Sequence, residues 1–272
     1  MDISQELQFK LDRLKEFIGH YKRVAIGYSG GVDSSLLATV CHEVLGPDAI
    51  AVTADASVVP RSEIRESQTL AKNVGFKQYL LPIDVWANPK FVENGPKRCY
   101  YCKYNIFTQV LRKAQELNCQ VVFDGTNTDD TKEYRPGLQA LAELGVKSPL
   151  LEAGLSKQDI RLLSERYGLA TAHKPSMACL ATRIPTDTAI SKEALAMVEQ
   201  GEEILKRLGV SQYRLRLFED RAQIECGIQD FPTILANRKS LNEALHAIGI
   251  SKITLDLEGY GSGHRKPSLE DQ

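Results

Sequence analysis

The sequence predicts an α/β protein: a parallel-sheet domain over residues 1–173 and a second, smaller α/β domain over 174–272. Three observations carry this. Short β-branched runs alternate with amphipathic helical patterns through the first part of the chain, which is how a parallel sheet covered by helices on both faces is written in sequence. The first run, Val24-Ala25-Ile26, leads directly into Ser29-Gly30-Gly31-Val32-Asp33-Ser34-Ser35 and then into an apolar helical stretch. Residues 174–188 are then rich in Pro, Thr and Ala without periodicity, and a new set of elements follows them.

Leu7, Leu11, Leu14, Phe17 and Ile18 recur at helical spacing, so residues 4–19 read as the first helix. Strand 23–28, the glycine turn and helix 34–45 come next. Ala49–Thr53 is a second strand, Pro60 opens a helix that Gly75 closes, and Gln78–Leu81 is a third strand. Pro89 and Asn94-Gly95-Pro96 make 84–98 a loop. Cys99 begins a helix to Leu117, Val121–Phe123 is a buried strand, and 131–153 is irregular with one short helix. Ser156 caps a helix over 157–167. In the second domain the pattern gives helix 191–208, a hairpin of Tyr213–Phe218 with Ala222–Glu225, a helix from Pro232 to Ile248 and a strand at 252–257. Ligands of open parallel sheets sit at the carboxyl ends of the strands. That edge would hold Ser29–Ser35, Ala54-Asp55-Ala56 and the loop after Phe123.

Composition narrows the function. The 272 residues suffice for two cores. A net charge of −1 shows no basic excess, so a nucleic-acid partner is not expected. The first residues are amphipathic and do not form a signal peptide, and no apolar run reaches membrane-spanning length. A cytoplasmic protein without a membrane partner is expected.

The glycine loop is a phosphate cradle in sequence. Gly30 and Gly31 allow a sharp turn and leave backbone amides uncovered. The first amides of the following helix lack partners and carry the positive end of its dipole, and Ser29, Ser34 and Ser35 add hydroxyls. The G-x-x-x-x-G-K-[ST] spacing and its lysine are absent, as is G-x-G-x-x-G. The plainer reading is a glycine turn with Asp33 capping the helix. Asp124-Gly125-Thr126-Asn127-Thr128-Asp129-Asp130 is the second nucleotide signal: an acidic loop after a buried strand suits Mg²⁺ on phosphates, with Asp33 and Asp129 as candidate ligands.

Six cysteines stand at 41, 99, 102, 119, 179 and 226. Cys99-x-x-Cys102 opens a helix and Cys179 lies in the aperiodic junction. Three thiolates suit a [4Fe–4S] cluster with one open iron, or zinc; the alternatives are a disulfide between Cys99 and Cys102 and a structural Cys179. Cys41, Cys119 and Cys226 read as ordinary buried cysteines. Arg214 and Arg216 alternate on one strand and share a face, which suits a phosphate or carboxylate; the alternative is a solvated face with Glu225 as cross-strand partner. Arg183, in the junction beside Cys179, is a ligand candidate. The five histidines form no metal-spacing pair, and His264 has no assigned role.

Ser29–Ser35 resembles the loop of the PP-loop ATP pyrophosphatases. Nearly the whole chain is similar to the LarE family, through that loop, Asp124–Asn127, Glu133–Gly137, Cys179–Pro185, Tyr213–Arg216 with Ile224-Glu225, Thr254–Leu257 and Ser262-Gly263. The resemblance implies an ATP-dependent sulfurtransferase that adenylates a carboxylate of pyridinium-3,5-biscarboxylate mononucleotide, releases pyrophosphate and installs sulfur. The cradle and the sheet edge make Ser29, Gly30, Gly31, Asp33, Ser34, Ser35, Asp55, Gly125 and Thr126 the expected ATP contacts, with Asp33 also expected to be catalytic; the resemblance implies substrate at Thr182, Arg214, Arg216 and Glu225, and Cys179 as the sulfur-bearing cysteine. It also implies a homo-oligomer, near whose subunit boundary the two arginines would lie. Cys99 and Cys102 beside Cys179 resemble a three-cysteine branch that holds a cluster and draws on a sulfide source, in contrast to the single-cysteine form that sacrifices its own sulfur. Two other functions share parts of the pattern: a cluster-dependent tRNA thiolase and a nucleotide-sensing module, the latter having no need of three cysteines.

Overall fold

The computed structural model describes residues 3–132, 136–175, 178–219 and 221–261. The chain divides into two units, Met1–Phe91 with Pro96–Met177, and Val92–Gly95 with Ala178–Gln272.

The first unit runs α1 (Gln5–Gly19), β1 (Val24–Gly27), α2 (Val32–Leu45), β2 (Ala49–Asp55), α3 (Arg61–Val74), β3 (Lys77–Pro82), α4 (Pro89–Val92), α5 (Arg98–Glu116), β4 (Val121–Phe123), α6 (Pro136–Glu143), α7 (Pro149–Glu152) and α8 (Lys157–Arg166). Its four strands are all parallel, in the order β3-β2-β1-β4. Val24 is level with Ala49 on one side and Val121 on the other. Strand β1 therefore has β2 and β3 to one side and β4 to the other, and strand order reverses there, which is where open α/β sheets form their ligand crevice.

Alternation along the strands divides the core. Val24, Ile26, Ala49 and Ala51 pack with Leu7, Leu11, Leu14 and Ile18 of α1 and with α2. Ala25, Ile50, Val52 and Val122 pack on the opposite face with Phe107, Val110 and Ala114 of α5. Both faces are covered, so the strands read as continuous apolar runs. Ser156 caps α8 in a reciprocal box with Asp159, which fixes where that helix starts.

The second unit contains α9 (Lys192–Arg207), β5 (Tyr213–Phe218), β6 (Arg221–Cys226), α10 (Phe231–Ala236), α11 (Arg238–Ala247) and β7 (Lys252–Leu255). β5 and β6 are antiparallel and β7 is parallel to β6. Helix α9 lies against β5 at Gly201, where a Cβ would come within 2.9 Å of Leu215. A four-residue strap, Val92–Gly95, whose first residue is also the last of α4, belongs here as well. Asn94 is fully buried at φ 58°. Its side-chain amide donates to the carbonyls of Pro185 (2.7 Å) and Thr188 (2.8 Å), and its carbonyl accepts from the Asp187 amide.

Several element boundaries differ from the sequence reading. Helix α2 begins at Val32, two residues early, with Gly31 at its N-cap and no side-chain cap; Asp33 is inside the first turn and is not the cap. The stretch 84–98 contains α4, and 131–153 contains α6 and α7. The helix expected from Pro232 to Ile248 breaks at Asn237, whose side-chain amide takes the Thr233 carbonyl, offering the backbone a local alternative to a continuous helix. The junction holds a short 3₁₀ turn, Leu180–Arg183.

Candidate active site

A cavity of about 560 Å³ opens in the first unit at the carboxyl ends of β1, β2 and β4. Its apolar side is made by Val52, Ala54, Val59, Ile106, Phe107 and Val110, and its polar side by Ser29, Asp33, Ser34, Asp124–Asn127, Lys103 and Lys157. An apolar slot beside a polar cradle suits a heteroaromatic base carrying phosphates.

Gly30 makes the cradle possible. It has φ +76°, and a Cβ there would lie 2.8 Å from Ser67 Cβ, so only glycine fits. Ser29 and Ser34 face each other with hydroxyls 3.1 Å apart, and the Ser29 amide donates to Ser34 Oγ. Gly31 forms the turn onto the helix. Gly125 brings the loop after β4 against the start of α2: a Cβ there would be 3.1 Å from the Ser34 amide nitrogen. Ser29, Gly30, Gly31 and Ser34 thus lie in one compact turn, with Gly125 of the loop after β4 packed against it. Tyr28, immediately before it, is buried with its hydroxyl donating to the Ser67 carbonyl, and burial raises its pKa to about 12.

Three expected nucleotide contacts change. Ser35 is fully buried, facing the core from α2, so its hydroxyl does not join the cradle. The Asp55 carboxylate pairs with Arg61, which also holds the carbonyls of Ala56 and Val59; it secures the loop after β2. The Thr126 hydroxyl donates to the buried Asp124 carboxylate, which also accepts from Ser148 Oγ, so that pair braces its own loop.

Asp33 and Asp129 converge on Lys157. Lys157 Nζ is 2.5 Å from Asp33 Oδ2, the Lys157 amide donates to Asp129 Oδ2 at 2.7 Å, and Asn127 Nδ2 donates to Asp33 Oδ1 at 3.2 Å. Sequence reasoning misses Lys157, Thr53 and Lys103 as cavity-wall residues. Lys157 carried a signal: it is the first residue of α8, where the helix dipole disfavours a cation.

In the second unit Cys179, half-buried and outside any disulfide, precedes the Leu180–Arg183 turn. Arg183 is 1% exposed. Its Nε and Nη2 donate to Glu202 at 2.7 and 3.1 Å, and its Nη1 donates to the carbonyls of Ala178 and Cys179 and to Thr182 Oγ1. It is a buried brace, which corrects its reading as a ligand residue. Arg216 pairs with Glu225 and donates to the Thr182 carbonyl at 3.3 Å. Glu225 is 2% exposed, so this sheet face is not a solvated one. Strand register sets Arg214 opposite Glu225, yet Arg214 reaches to the Gly261 carbonyl and lies over the Tyr260 ring. Arg214 Nε and Glu225 Oε2 are buried with no hydrogen-bond partner among the described residues.

Cys99 and Cys102 stand one turn apart at the start of α5 and are not joined in a disulfide, and Arg98 donates to Cys99 Sγ at 3.7 Å. Cys41 and Cys226 are buried, and burial raises the thiol pKa of Cys41, Cys119 and Cys226. Among the described residues no three His, Cys, Asp or Glu side chains are close enough to hold a metal ion. Glu133, Tyr134, Arg135, Ser262, Gly263 and His264 lie outside the described residues. No helix of the described residues is long and apolar enough to cross a membrane.

A parallel sheet whose switch-point loops form a glycine–serine phosphate cradle defines a PP-loop nucleotide-binding enzyme, and the NAD synthase family model matches residues 7–94. The chain is 30% identical over 249 residues to the pyridinium-3,5-bisthiocarboxylic acid mononucleotide synthase of Lactiplantibacillus plantarum, covering 91% of this chain and 90% of that one. An uncharacterized Synechocystis protein is 38% identical over 260 residues, 94% of this chain and 97% of its own length. A tRNA-specific 2-thiouridylase of Symbiobacterium thermophilum is 25% identical and covers 57% of this chain and 50% of its own. The protein belongs to the LarE family, a group of ATP-using sulfurtransferases.

Proposed function

We propose that this protein uses ATP to adenylate a carboxylate of pyridinium-3,5-biscarboxylic acid mononucleotide and then replaces the activated oxygen with sulfur. The observation that carries the first half is the cradle itself: the Gly30 turn, the Ser29–Ser34 pair and Lys157 gathered at the end of β1. The substrate is taken from the relative of 30% identity that spans nearly the whole chain.

In the first step a carboxylate oxygen attacks the α-phosphorus, the bond to the bridging oxygen breaks, and pyrophosphate leaves with the electron pair. The uncovered amides of the α2 start, the Ser29 and Ser34 hydroxyls and Lys157 meet the charge that develops on the leaving group. Two carboxylates, Asp33 and Asp129, meet at Lys157 on the cavity wall, a donor set that fits Mg²⁺ when phosphates supply further ligands. When bound, the cation neutralises charge on the pyrophosphate. The apolar side of the cavity takes the adenine. In the second step hydrosulfide or its equivalent attacks the acyl carbon, AMP leaves, and a thiocarboxylate results with release of one proton.

Arg214, Arg216 and Glu225 are the proposed substrate residues of the second unit. Their support is the buried pair of unmatched groups, Arg214 Nε and Glu225 Oε2, because a buried donor and acceptor left unpaired are costly without a partner. A ligand with a phosphate and a neighbouring hydroxyl would meet both. Cys179 is the proposed sulfur-bearing residue. Cys99, Cys102 and Cys179 would be the ligands of a [4Fe–4S] cluster, but the described residues do not gather three metal-ligating side chains, and no step here passes through one.

The test is incubation with ATP, Mg²⁺ and sulfide plus either the pyridinium dicarboxylate nucleotide or bulk tRNA. AMP, pyrophosphate and a thiocarboxylate are expected, followed by phosphorus NMR and mass spectrometry. ADP with phosphate, or thiolated RNA without thiocarboxylate, would overturn the reading.

A further inference from the structure

We infer that Glu202 is a positioning residue for Cys179, acting through the guanidinium of Arg183. The inference rests on the reading of Cys179 as the sulfur-bearing residue.

Glu202 lies on α9 and is 5% exposed, and Arg183 is 1% exposed. The two form a two-point contact, Nε to Oε1 and Nη2 to Oε2. Glu202 Oε1 also accepts from the Leu215 amide of β5 at 3.1 Å. The carboxylate is thereby tied to the sheet as well as to the arginine. The free end of the guanidinium, Nη1, holds the Ala178 carbonyl at 3.0 Å and the Cys179 carbonyl at 3.3 Å. The Cys179 carbonyl further accepts from the Thr182 amide at 3.0 Å and Thr182 Oγ1 at 2.8 Å. A continuous chain of contacts thus runs from the β5 backbone through Glu202 and Arg183 to the two peptide groups flanking Cys179.

A well-packed apolar pair could fill the space between α9 and this turn at lower desolvation cost. It could not donate to the carbonyls at 178 and 179. Only arginine offers a planar fork with two edges, one for a carboxylate and one for backbone oxygens. Burial works against the Arg183 charge, and its neighbours, Glu202 foremost, more than offset it, so the fork stays a donor. Asp or Gln at 202 would change its reach or its charge, and Lys at 183 would lose the fork.

Glu202→Gln and Arg183→Lys test this. Substrate-dependent ATP–pyrophosphate exchange reports adenylation, and thiocarboxylate formation reports sulfur transfer. Exchange and the KM for the pyridinium nucleotide are expected to stay at wild-type values, while kcat for sulfur transfer falls about 100-fold, the loss that a misplacement of about 1 Å can produce. Equal loss of exchange and transfer would mean that the pair merely maintains the fold, and would overturn the inference. Labelling of Cys179 with N-ethylmaleimide, read by peptide mass spectrometry, needs no substrate. Its rate is expected to rise several-fold in both variants, with Cys99 and Cys102 unchanged; an unaltered Cys179 rate would overturn the positioning role. A wild-type chain that shows neither exchange nor thiocarboxylate defeats the functional reading instead, and the labelling rates then decide the role of Glu202 alone. Should Glu202→Gln fail to fold, Glu202→Asp, which keeps the charge and shortens the reach, is judged on the same two readouts.

Discussion

Replacing Lys157 with methionine removes a cation from the cavity wall and keeps most of the side chain's length. Nζ lies 2.5 Å from Asp33 Oδ2, with the two side chains 31% and 23% exposed. A pair this exposed is worth about 0–1 kcal/mol. Lys157 also meets the positive end of the α8 dipole, an opposing effect of about 0.3–1 kcal/mol. The two nearly cancel, so chain stability should barely move. Nucleotide affinity should behave differently. Among the described residues the cavity wall carries Asp33, Asp124, Asp129 and Asp130 against Lys103 and Lys157, so losing one of these two lysines removes much of what faces a triphosphate. A hydrogen bond to a charged group is worth about 1.5–3 kcal/mol, which is about 10- to 150-fold in Kd. Titration calorimetry with ATP and Mg²⁺ at fixed ionic strength measures the affinity, and thermal unfolding measures the stability. Lys10→Met is the control, because Lys10 pairs with Asp159 of the same helix at 2.9 Å and does not line the cavity. An ATP Kd equal to wild type in Lys157→Met would refute the phosphate role. A large loss of stability would make Lys157 a structural lysine.

Gly30→Ala should cost about 1–2 kcal/mol for the left-handed backbone and about 1–3 kcal/mol more for the clash with Ser67. Gly31→Ala, at φ −77° with its Cβ 3.4 Å from Ser29 Oγ, should be near neutral in stability; equal thermal shifts for the two would contradict this geometry. If the sulfur of the proposed second step is drawn from free sulfide, intact mass after several turnovers should be unchanged. Loss of one sulfur from Cys179, with one product per chain, would establish the sacrificial route. Ile228, Leu235 and Leu257 are exposed in the second unit, and sedimentation at micromolar concentration should show a homo-oligomer; a strict monomer would count against it.

The phosphate turn was legible because its chemistry is local. Gly30 must be glycine, the strand before it is apolar, and the helix follows at once, so seven consecutive residues carry the geometry. Parallel order was legible for a similar reason, since strand and helix alternate. Long-range partners were not. Lys157 lies 124 positions from Asp33, and its sequence neighbourhood marks only a helix start. Arg183 looked like a ligand because its segment is aperiodic, yet Glu202 lies on the next helix and consumes the charge. Ser35 looked like Ser34, and one step of helical rotation turned it into the core. Nothing in Val92–Gly95 announces that Asn94 will be capped by carbonyls about ninety positions later.

That strap has a consequence for how the protein can be cut or recombined. The polypeptide passes between the two units at three places, after Phe91, after Gly95 and after Met177. The smaller unit is therefore discontinuous in the gene as well as in the chain. A fragment ending at residue 177 would keep Asn94 and lose the Pro185 and Thr188 carbonyls that its amide holds. A fragment starting at 178 would have an Asn94-shaped vacancy beside Pro185 and Thr188. An exchange of the smaller unit between relatives succeeds as a unit only when four residues from the middle of the larger one travel with it.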